Sequence, residues 1–301
     1  MSRLALTGGT GFVGSHVLDV ALAAGHQVSA LTRRPQPARQ GVAWVEGALD
    51  RAEALDRLCE GADAVVHVAG VVSAPDRAGF AKGNIAGTQA VLAAASRAGV
   101  RRFVHVSSLA AREPGLSAYG WSKADSERLV AASGLAWTIV RPPGVFGPRD
   151  AETLPLFRAA RHRLVPLPPA GGRGSWIYAP DLAALLVTLA SGTPSYGATL
   201  EPDDGTPEGW DHRAFARAIG AAVDRRVLPL PLPRPLLSLA ARVGRVIGGP
   251  LAKLTPDRVG YLAHRDWVSH APPPPELWRA AHATADALAA TARWYAAAGL
   301  L

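Results

Sequence analysis

Residues 3–14 read RLALTGGTGFVG, an apolar run that leads into three glycines spaced three residues apart. RLALT has the composition of a buried strand, and the residues after Gly11 predict a helix that begins near Phe12. Gly8 permits a tight turn, Gly11 lets a pyrophosphate approach the backbone, and Gly14 lets the helix pack closely on the strand. Because the start of the helix offers free N–H groups to phosphate, this turn predicts a dinucleotide site.

Short apolar runs alternate with Ala-rich helical patterns from residue 3 to about residue 145. The runs are RLALT, QVSALT, VAWVEG, DAVVHVAG, RFVHVSS and LAWTIVRPP. Their continuous hydrophobicity predicts strands that are buried on both faces. The alternation predicts an α/β fold with a doubly wound parallel sheet, which is the Rossmann fold.

Proline clusters and shorter helical patterns follow residue 146. They predict a smaller, mostly helical C-terminal substrate lobe made of residues 146–174 and 201–301. The dinucleotide-binding Rossmann domain is predicted to cover 1–145. Residues 175–200 are predicted to return to it, with RGSWIYAPDLAALLVTLA as a strand and its covering helix.

The second strand ends in LTRRP, which places Arg33 and Arg34 where the ribose of a dinucleotide would lie. A carboxylate at this position would hold the 2′-hydroxyl of NAD, whereas arginine suits the 2′-phosphate of NADP. Two guanidinium groups could bind that phosphate through paired hydrogen bonds. NADP(H) is therefore favoured, NAD(H) is the alternative, and two ordinary surface arginines would also fit the pattern.

A tyrosine and a lysine lie four residues apart in LSAYGWSKADSE (116–127), as Tyr119 and Lys123. On a helix this spacing puts both side chains on one face. A nearby cation favours the phenolate and brings the pKa of a tyrosine from about 10 toward neutral pH. The pair could therefore transfer a proton to a substrate oxygen, although a tyrosine beside a surface lysine is common.

The glycine turn, HVAG, HVSS and YGWSK in this order resemble the short-chain dehydrogenase/reductase superfamily, in its extended or atypical branch, the NAD-dependent epimerase/dehydratase family. The resemblance covers residues 3–200. It implies that Tyr119 is the acid/base, and that Lys123 lowers its pKa and binds the nicotinamide ribose. Ser108 would position the substrate oxygen, with Ser107 as the alternate candidate.

The resemblance also implies which residues surround the cofactor. Asn84 and Thr88 match a segment behind it, Leu49 would flank the adenine, and Pro142 to Val145 would lie under the nicotinamide. With the turn residues, the implied cofactor contacts are Thr7, Gly8, Gly11, Phe12, Val13, Gly14, Arg33, Arg34, Leu49, Ala69, Gly70, Asn84, Tyr119, Lys123, Pro142 and Val145.

Two positions depart from the pattern of this family. Gly47-Ala48 replaces a frequent Gly-Asp pair that contacts adenine, which puts that contact in doubt. Gly144 stands where nucleotide-sugar enzymes commonly have an asparagine that touches the substrate diphosphate. The loss of this donor argues against a nucleotide sugar.

The composition limits where the protein works and what it binds. A single cysteine, Cys59, and the absence of a secretory signal before RLALT predict a cytoplasmic protein. His67 and His105 lie in apolar runs and are expected to be satisfied core residues, so no metal site is predicted. The net charge of +8 indicates affinity for anions. No nucleic-acid-binding motif accompanies that charge, and the oligomeric state stays open.

A basic amphipathic pattern lies in the C-terminal lobe, where PRPLLSLAARVGRVIGG carries Leu236, Leu239, Val243 and Val246 at helical spacing. It could contact an anionic membrane surface, at the inner membrane face, or simply pack in the lobe. The basic residues of segment 225–265, opposed by Asp257 alone, are Arg225, Arg226, Arg234, Arg242, Arg245, Lys253, Arg258 and Arg265.

Three functions fit these features. The first is an NADPH-dependent oxidoreductase that reduces the carbonyl group of a hydrophobic, lipid-like (3-oxo) small molecule, with Tyr119 as proton donor. The second is a nucleotide-sugar epimerase or dehydratase with retained NAD. The third is a non-catalytic NADPH-binding accessory protein that resembles a respiratory complex I subunit.

Overall fold

The computed structural model describes residues 2–192, 195–248 and 256–301, apart from the side chains of residues 240, 243–248 and 256–257. The chain forms two compact units. The first is Met1–Arg141 with Leu182–Leu200, and the second is Pro142–Asp181 with Glu201–Leu301. No helix in the described ranges is both long and apolar enough to cross a bilayer.

Strands and helices alternate through the first unit and are shorter in the second. The described strands are β1 (Arg3–Thr7), β2 (Gln27–Thr32), β3 (Val42–Glu46), β4 (Ala64–His67), β5 (Arg102–Val106), β6 (Ala136–Val140), β7 (Gly144–Phe146), β8 (Leu164–Leu167), β9 (Arg173–Gly174), β10 (Trp176–Tyr178), β11 (Ala198–Leu200), β12 (Trp210–Asp211), β13 (Leu228–Pro231) and β14 (Asp266–Trp267). The α-helices are α1 (Phe12–Ala23), α2 (Ala52–Cys59), α3 (Arg77–Phe80), α4 (Gly87–Arg97), α5 (Ala118–Ala131), α6 (Leu154–Arg161), α7 (Ala179–Ala190), α8 (His212–Ala222), α9 (Arg234–Gly248), α10 (Pro256–Leu262) and α11 (Thr284–Ala297). A π-helical segment, Ala81–Ala86, precedes α4, and a 3₁₀ helix covers Leu109–Arg112.

The central sheet of the first unit has seven parallel strands in the order β11-β6-β5-β4-β1-β2-β3. This confirms the predicted doubly wound parallel sheet. The strand order reverses between β1 and β4, which is the topological switch point where ligands of such folds bind. The glycine turn follows β1, so the predicted dinucleotide site lies at that point.

Burial of the strands follows their place in the sheet. Strands β4 and β5 are buried along their whole length, as their continuous hydrophobicity predicts. They pack with α2 and α4 around a cluster that includes Leu58, Val65 and Phe103. Strand β3 was predicted to be buried on both faces, and this is wrong. It is the last strand of the sheet, where only one neighbour covers it, and its residues are partly exposed.

The strand predicted within RGSWIYAPDLAALLVTLA does not join the central sheet. Strand β10 pairs instead with β7 in a two-stranded parallel sheet of the second unit. The seventh strand of the central sheet is β11, which pairs with β6. The apolar run Trp176–Tyr178 predicted a strand correctly, but a run of three residues does not specify its partner.

Small sheets and helices surround a separate aromatic core in the second unit. The sheets are β7 with β10, β8 with β13, and β9 between β12 and β14. Phe146, Phe157, Phe215 and Tyr295 lie in this core and are almost fully buried. The Trp176 indole stacks on the Phe215 ring with 4.0 Å between centroids.

Candidate active site

The glycine turn after β1 has the tight geometry that its sequence predicts. Gly8 has φ +76°, in the region that favours glycine. The Gly11 amide donates to the Gly8 carbonyl over 2.9 Å, and α1 begins at Phe12 as predicted. A Cβ atom on Gly14 would lie 2.0 Å from the Gly8 carbonyl oxygen, so only glycine lets the helix come this close.

The start of α1 fits the phosphate groups of a dinucleotide. Its N-cap, Gly11, supplies no side-chain cap, and the first turn contains no acidic residue. The first amides are therefore uncapped donors at the positive end of the helix dipole. Gly11 is exposed, and a Cβ there would lie 3.2 Å from the Gly8 carbonyl oxygen, a tight contact that favours glycine at this position. Phe12 and Val13 are half-buried there.

Behind the turn, a buried chain of hydrogen bonds joins β1 to β4 and α4. The Thr7 hydroxyl is 2.7 Å from His67 Nδ1 and accepts from the Ala69 amide over 3.1 Å. His67 Nε2 lies 3.1 Å from the Thr88 hydroxyl. Thr7 and His67 are both 0% exposed, so the Thr7 side chain positions Ala69 rather than lining an open site. The expectation of a satisfied core histidine at His67 is confirmed.

Arg33 and Arg34 are both exposed at the end of β2. The Thr32 hydroxyl donates to the Arg34 carbonyl over 2.6 Å and so fixes the turn that carries the arginines. Within the part of the chain that the structure describes, neither guanidinium group has an acidic partner. Two adjacent cations without a counter-ion at the end of this strand fit an anionic group on the ligand.

The turn after β4 and the π-helical segment meet at one amide side chain. Asn84 accepts from the Val71 amide over 2.8 Å and donates to the Val71 carbonyl and to Ser122. A Cβ on Gly70 would lie 2.9 Å from Asn84 Oδ1 and 3.6 Å from Lys123 Nζ. Gly70, Asn84 and Lys123 therefore converge on one point, as expected of one cofactor site.

Leu49 lies on the other side of the same segment. A Cβ on Gly87, the first residue of α4, would lie 2.7 Å from Leu49 Cδ1. Leu49 is half-buried and packs against the core of the first unit. The exposed part of Leu49 could contact an apolar ring. Its contact with adenine stays a prediction.

Lys123 is buried and held by the backbone of β5. Its Nζ donates to the Val106 carbonyl over 2.7 Å, and the residue as a whole is 5% exposed. Burial lowers the pKa of Lys123 to about 8, against the opposing charge of Glu127. The ammonium keeps two further protons for a ligand, and Tyr119 lies one turn earlier on α5.

The two candidate serines differ in their hydrogen bonds and in their exposure. Ser107 donates to Glu127 Oε1 over 2.5 Å and is 5% exposed, so its hydroxyl is committed to the interior. Ser108 is half-exposed and accepts from the Ala110 amide over 3.2 Å as the N-cap of the 3₁₀ helix. This bond leaves the Ser108 proton available to a substrate oxygen. The geometry therefore favours Ser108.

The 3₁₀ helix that Ser108 caps packs tightly against the start of α5. A Cβ on Gly120 would lie 2.5 Å from the Ala110 carbonyl oxygen. The Ser117 hydroxyl caps α5 by accepting from the Gly120 amide over 3.0 Å. Tyr119 is adjacent to Gly120, and Ser108 is bonded to Ala110. The close contact between Gly120 and Ala110 therefore holds Tyr119 and Ser108 in fixed positions within the first unit.

Comparison with known proteins identifies the family of this chain. The sequence model of the NAD dependent epimerase/dehydratase family matches residues 4–195. The chain belongs to this family. A protein of Caulobacter vibrioides (strain NA1000 / CB15N) named "Ceramide reductase" is 36% identical over 308 residues, which cover 99% of this chain and 96% of that protein.

Two further proteins are less similar in sequence. A Stigmatella aurantiaca protein named "4-hydroxy-2-methyl-3-oxo-4-farnesyl-3,4-dihydroquinoline-1-oxide ketoreductase" is 32% identical over 191 residues, 54% of this chain and 57% of that protein. The solved structure of Bordetella bronchiseptica WbmH in complex with NAD+ has a TM-score of 0.74 at 21% identity over 98% of this chain and 99% of that one. The structural likeness shows the fold, and the chain is an oxidoreductase of the NAD dependent epimerase/dehydratase family.

The segment expected under the nicotinamide, Pro142 to Val145, belongs to the second unit. Pro142 and Val145 lie at its start, and Val145 is in β7. A Cβ on Gly144 would lie 2.5 Å from the Trp176 ring. The Trp176 indole therefore leaves no room for a side chain at position 144.

An ion pair at the base of the site was not predicted. Glu127 accepts from Arg141 through both carboxylate oxygens, over 2.9 and 2.6 Å, and also from Ser107. The signal was present in the sequence, because Glu127 follows Lys123 by four residues, as Lys123 follows Tyr119. All three residues therefore share one face of α5.

Two buried histidines of the first unit lie side by side on β4 and β5. The rings of His67 and His105 stack with 5.4 Å between centroids. His105 Nε2 bonds to Ser126, whereas His105 Nδ1 has no hydrogen-bond partner in the described part of the chain, so this histidine is only half satisfied. Burial, then the charge of Lys123, lowers the pKa of His67 to about 3. Among the described residues, no group of histidine, cysteine and acidic side chains could hold a metal ion.

Proposed function

We propose that this protein reduces the keto group of a hydrophobic, ceramide-type lipid, with NADPH as the hydride source. The chemistry rests on the placement of Ser108 and Lys123 by one stretch of backbone, 106–110. Lys123 donates to the carbonyl of Val106, and Ser108 accepts from the amide of Ala110. Tyr119 and Lys123 share α5, which packs on that stretch at Gly120.

The residues of this chain have separate tasks in the proposed reduction. NADPH, when bound, would supply the hydride that the keto carbon accepts. Tyr119 gives its phenolic proton to the oxygen, and Ser108 donates a hydrogen bond to the same oxygen. The positive charge of Lys123, one turn after Tyr119 on α5, would favour the phenolate that forms.

The cofactor would be held by groups at the carboxyl ends of the central strands. The uncapped start of α1 would bind the pyrophosphate, and the turn at Ala69 and Gly70, with Asn84 behind it, would border the nucleotide. Arg33 and Arg34 would bind the 2′-phosphate of NADPH. Lys123 would bind the nicotinamide ribose.

The substrate class rests on one observation, the similarity to the protein named ceramide reductase over nearly the whole of both chains. The similarity extends beyond the cofactor-binding part into the second unit, to which we assign substrate binding. A ceramide carries hydroxyl groups, so a hydride-transfer enzyme that yields one must act on its oxidised, keto form. The Trp176 ring against Gly144 supports this class over a nucleotide sugar.

The direct test is oxidation of NADPH against a panel of a 3-oxo ceramide in detergent micelles, a simple long-chain ketone and UDP-glucose. We expect turnover of the 3-oxo ceramide and formation of its alcohol, identified by mass spectrometry. Turnover of UDP-glucose with tightly retained NAD would instead favour the epimerase or dehydratase alternative. NADPH binding without consumption on every substrate would favour the non-catalytic accessory alternative.

The cofactor preference has its own test in the variant Arg33→Ser/Arg34→Ser. Loss of two charged donors to one phosphate should lower kcat/KM with NADPH by about a hundredfold, and change kcat/KM with NADH by less than about threefold. The control is Arg51→Ser/Arg57→Ser, which removes two exposed arginines of the same unit. Equal losses with both cofactors would contradict the assignment of Arg33 and Arg34 to the 2′-phosphate.

A further inference from the structure

The two-stranded sheet β8–β13 presents leucines to solvent. Leu164 is 46%, Leu228 64% and Leu230 41% exposed. Their neighbours in β8, Val165 and Leu167, point the other way and are buried in the core of the second unit. The outer face of this sheet is therefore apolar along both strands, although no described element covers it.

The free edge of this sheet cannot accept another strand through its amides. The Leu228 amide donates to the carbonyl of Arg163, which directly precedes β8, and the Leu232 amide donates to the carbonyl of Leu167 in β8. The alternate positions of β13, whose amides would face outward, are Pro229 and Pro231, which have no N–H group. Strand addition by a partner chain is thus disfavoured at this edge, and the exposed leucines need another explanation.

A basic cleft lies at the start of the same sheet. It has a volume of about 450 Å³ and is lined by Arg158, Arg161, His162, Arg225, Leu300 and Leu301. Arg161 and His162 immediately precede β8, and Arg225 precedes β13. Among the described residues, the hydrogen-bond partners of two of the guanidinium groups are backbone carbonyls, Leu300 for Arg158 and Asp224 for Arg225. The cleft therefore offers positive charge beside apolar side chains.

Helix α9, which follows β13, repeats this combination. Leu237 and Ala241 are buried against Val259 of α10, so they supply the packing of the helix. Leu236 and Leu239 are 47% and 57% exposed on another face. Packing within the lobe, the alternative interpretation of the amphipathic pattern, therefore does not account for these two leucines. The structure does not describe the side chains of Val243, Arg245, Val246 and Asp257, nor any part of Lys253.

Positive charge predominates in the chain segments that carry these leucines, and one exposed acidic residue, Asp224, directly precedes Arg225. Segments 158–167 and 225–242 contain seven arginines and no acidic residue: Arg158, Arg161, Arg163, Arg225, Arg226, Arg234 and Arg242. A second copy of the chain, docked through the same surface about a two-fold axis, would place these arginines against one another. A surface of anionic lipids complements both the arginines and the apolar side chains.

We propose that the β8–β13 sheet, the basic cleft beside it and the exposed face of α9 bind the surface of an anionic phospholipid bilayer. The arginines of the cleft bind lipid phosphates, and the leucines enter the boundary between headgroups and acyl chains. The site is distinct from the catalytic residues, which lie in the first unit. It goes beyond the reductase proposal, and its readout does not depend on turnover.

Vesicle flotation with the full chain tests this proposal. We expect binding to phosphatidylcholine vesicles that contain phosphatidylglycerol at low salt, weaker binding at high salt, and no binding to pure phosphatidylcholine. Leu228→Ser/Leu230→Ser and Arg161→Glu/Arg225→Glu should each lower the partition coefficient by at least about tenfold. The matched controls, Val72→Ser and Arg57→Glu/Arg101→Glu, change exposed residues of the first unit and should bind as the wild type does.

Each variant should retain the circular dichroism spectrum and thermal midpoint of the wild type, since every changed side chain is exposed. Failure of the wild type to bind anionic vesicles would overturn the proposal, and so would wild-type binding by both surface variants. Light scattering supplies the remaining outcome. If Leu228→Ser/Leu230→Ser turns a dimer into a monomer without a change in vesicle binding, the leucines form a contact between copies and the proposal is wrong.

Discussion

Replacement of Tyr119 by phenylalanine is expected to lower kcat for ketone reduction by about a hundredfold to ten-thousandfold, the range for loss of a positioned general acid. The change removes one oxygen atom and keeps the ring. The Tyr119 ring contacts Phe80 with 6.1 Å between centroids, and phenylalanine preserves that packing. NADPH affinity, measured by fluorescence titration, should change by less than about threefold, which separates loss of the proton donor from loss of the cofactor.

The matched control is Tyr196→Phe, the same chemical change at an exposed tyrosine of the first unit. Arg102 lies over the Tyr196 ring at 5.0 Å, and phenylalanine keeps that contact as well. Full turnover by the Tyr119 variant would overturn its role as proton donor. A large loss of NADPH affinity would show instead that the phenol acts mainly in cofactor binding.

The sheet was predictable from the sequence because each of six strands is a continuous apolar run between glycine-closed helical patterns. Such runs predict that a strand is buried, but they predict this poorly for a strand at the edge of the sheet. VAWVE is as apolar as the central strands, yet β3 has a neighbour on one side only. WIY likewise predicted a strand, but its partner, β7, lies within a segment whose prolines and glycines gave no strand signal.

The candidate site was predictable in its residue types and less so in its connections. The spacing of Tyr119 and Lys123 follows from helix geometry alone. The choice between Ser107 and Ser108 depends on which hydroxyl faces inward, and that depends on Glu127 and Arg141, two residues far from the serines in the chain. Sequence spacing could have shown Glu127 on the face of α5 that carries Lys123, but not its contact with Ser107.

The second large effect is expected at Gly120, where an added methyl group has no room. In Gly120→Ala the new Cβ would lie 2.5 Å from the Ala110 carbonyl oxygen, so α5 or the 3₁₀ helix must shift by about an ångström to restore a normal contact. Ser108 is bonded to the Ala110 amide, and Tyr119 precedes the changed residue. Because a displacement of this size misaligns the donors, kcat should fall by about a hundredfold.

Gly115→Ala is the control that makes this effect interpretable. Gly115 lies in the same segment, has no positive φ, and a Cβ there would meet no atom within 4 Å. Alanine at this position should leave kcat unchanged and raise the free energy of unfolding by up to about 1 kcal/mol, through a less flexible unfolded chain. Gly120→Ala should instead lower it by about 1–3 kcal/mol, the usual cost of overpacking. If both variants keep the wild-type kcat, the contact between Gly120 and Ala110 does not align the catalytic groups. The helices would then have moved apart without any loss of turnover.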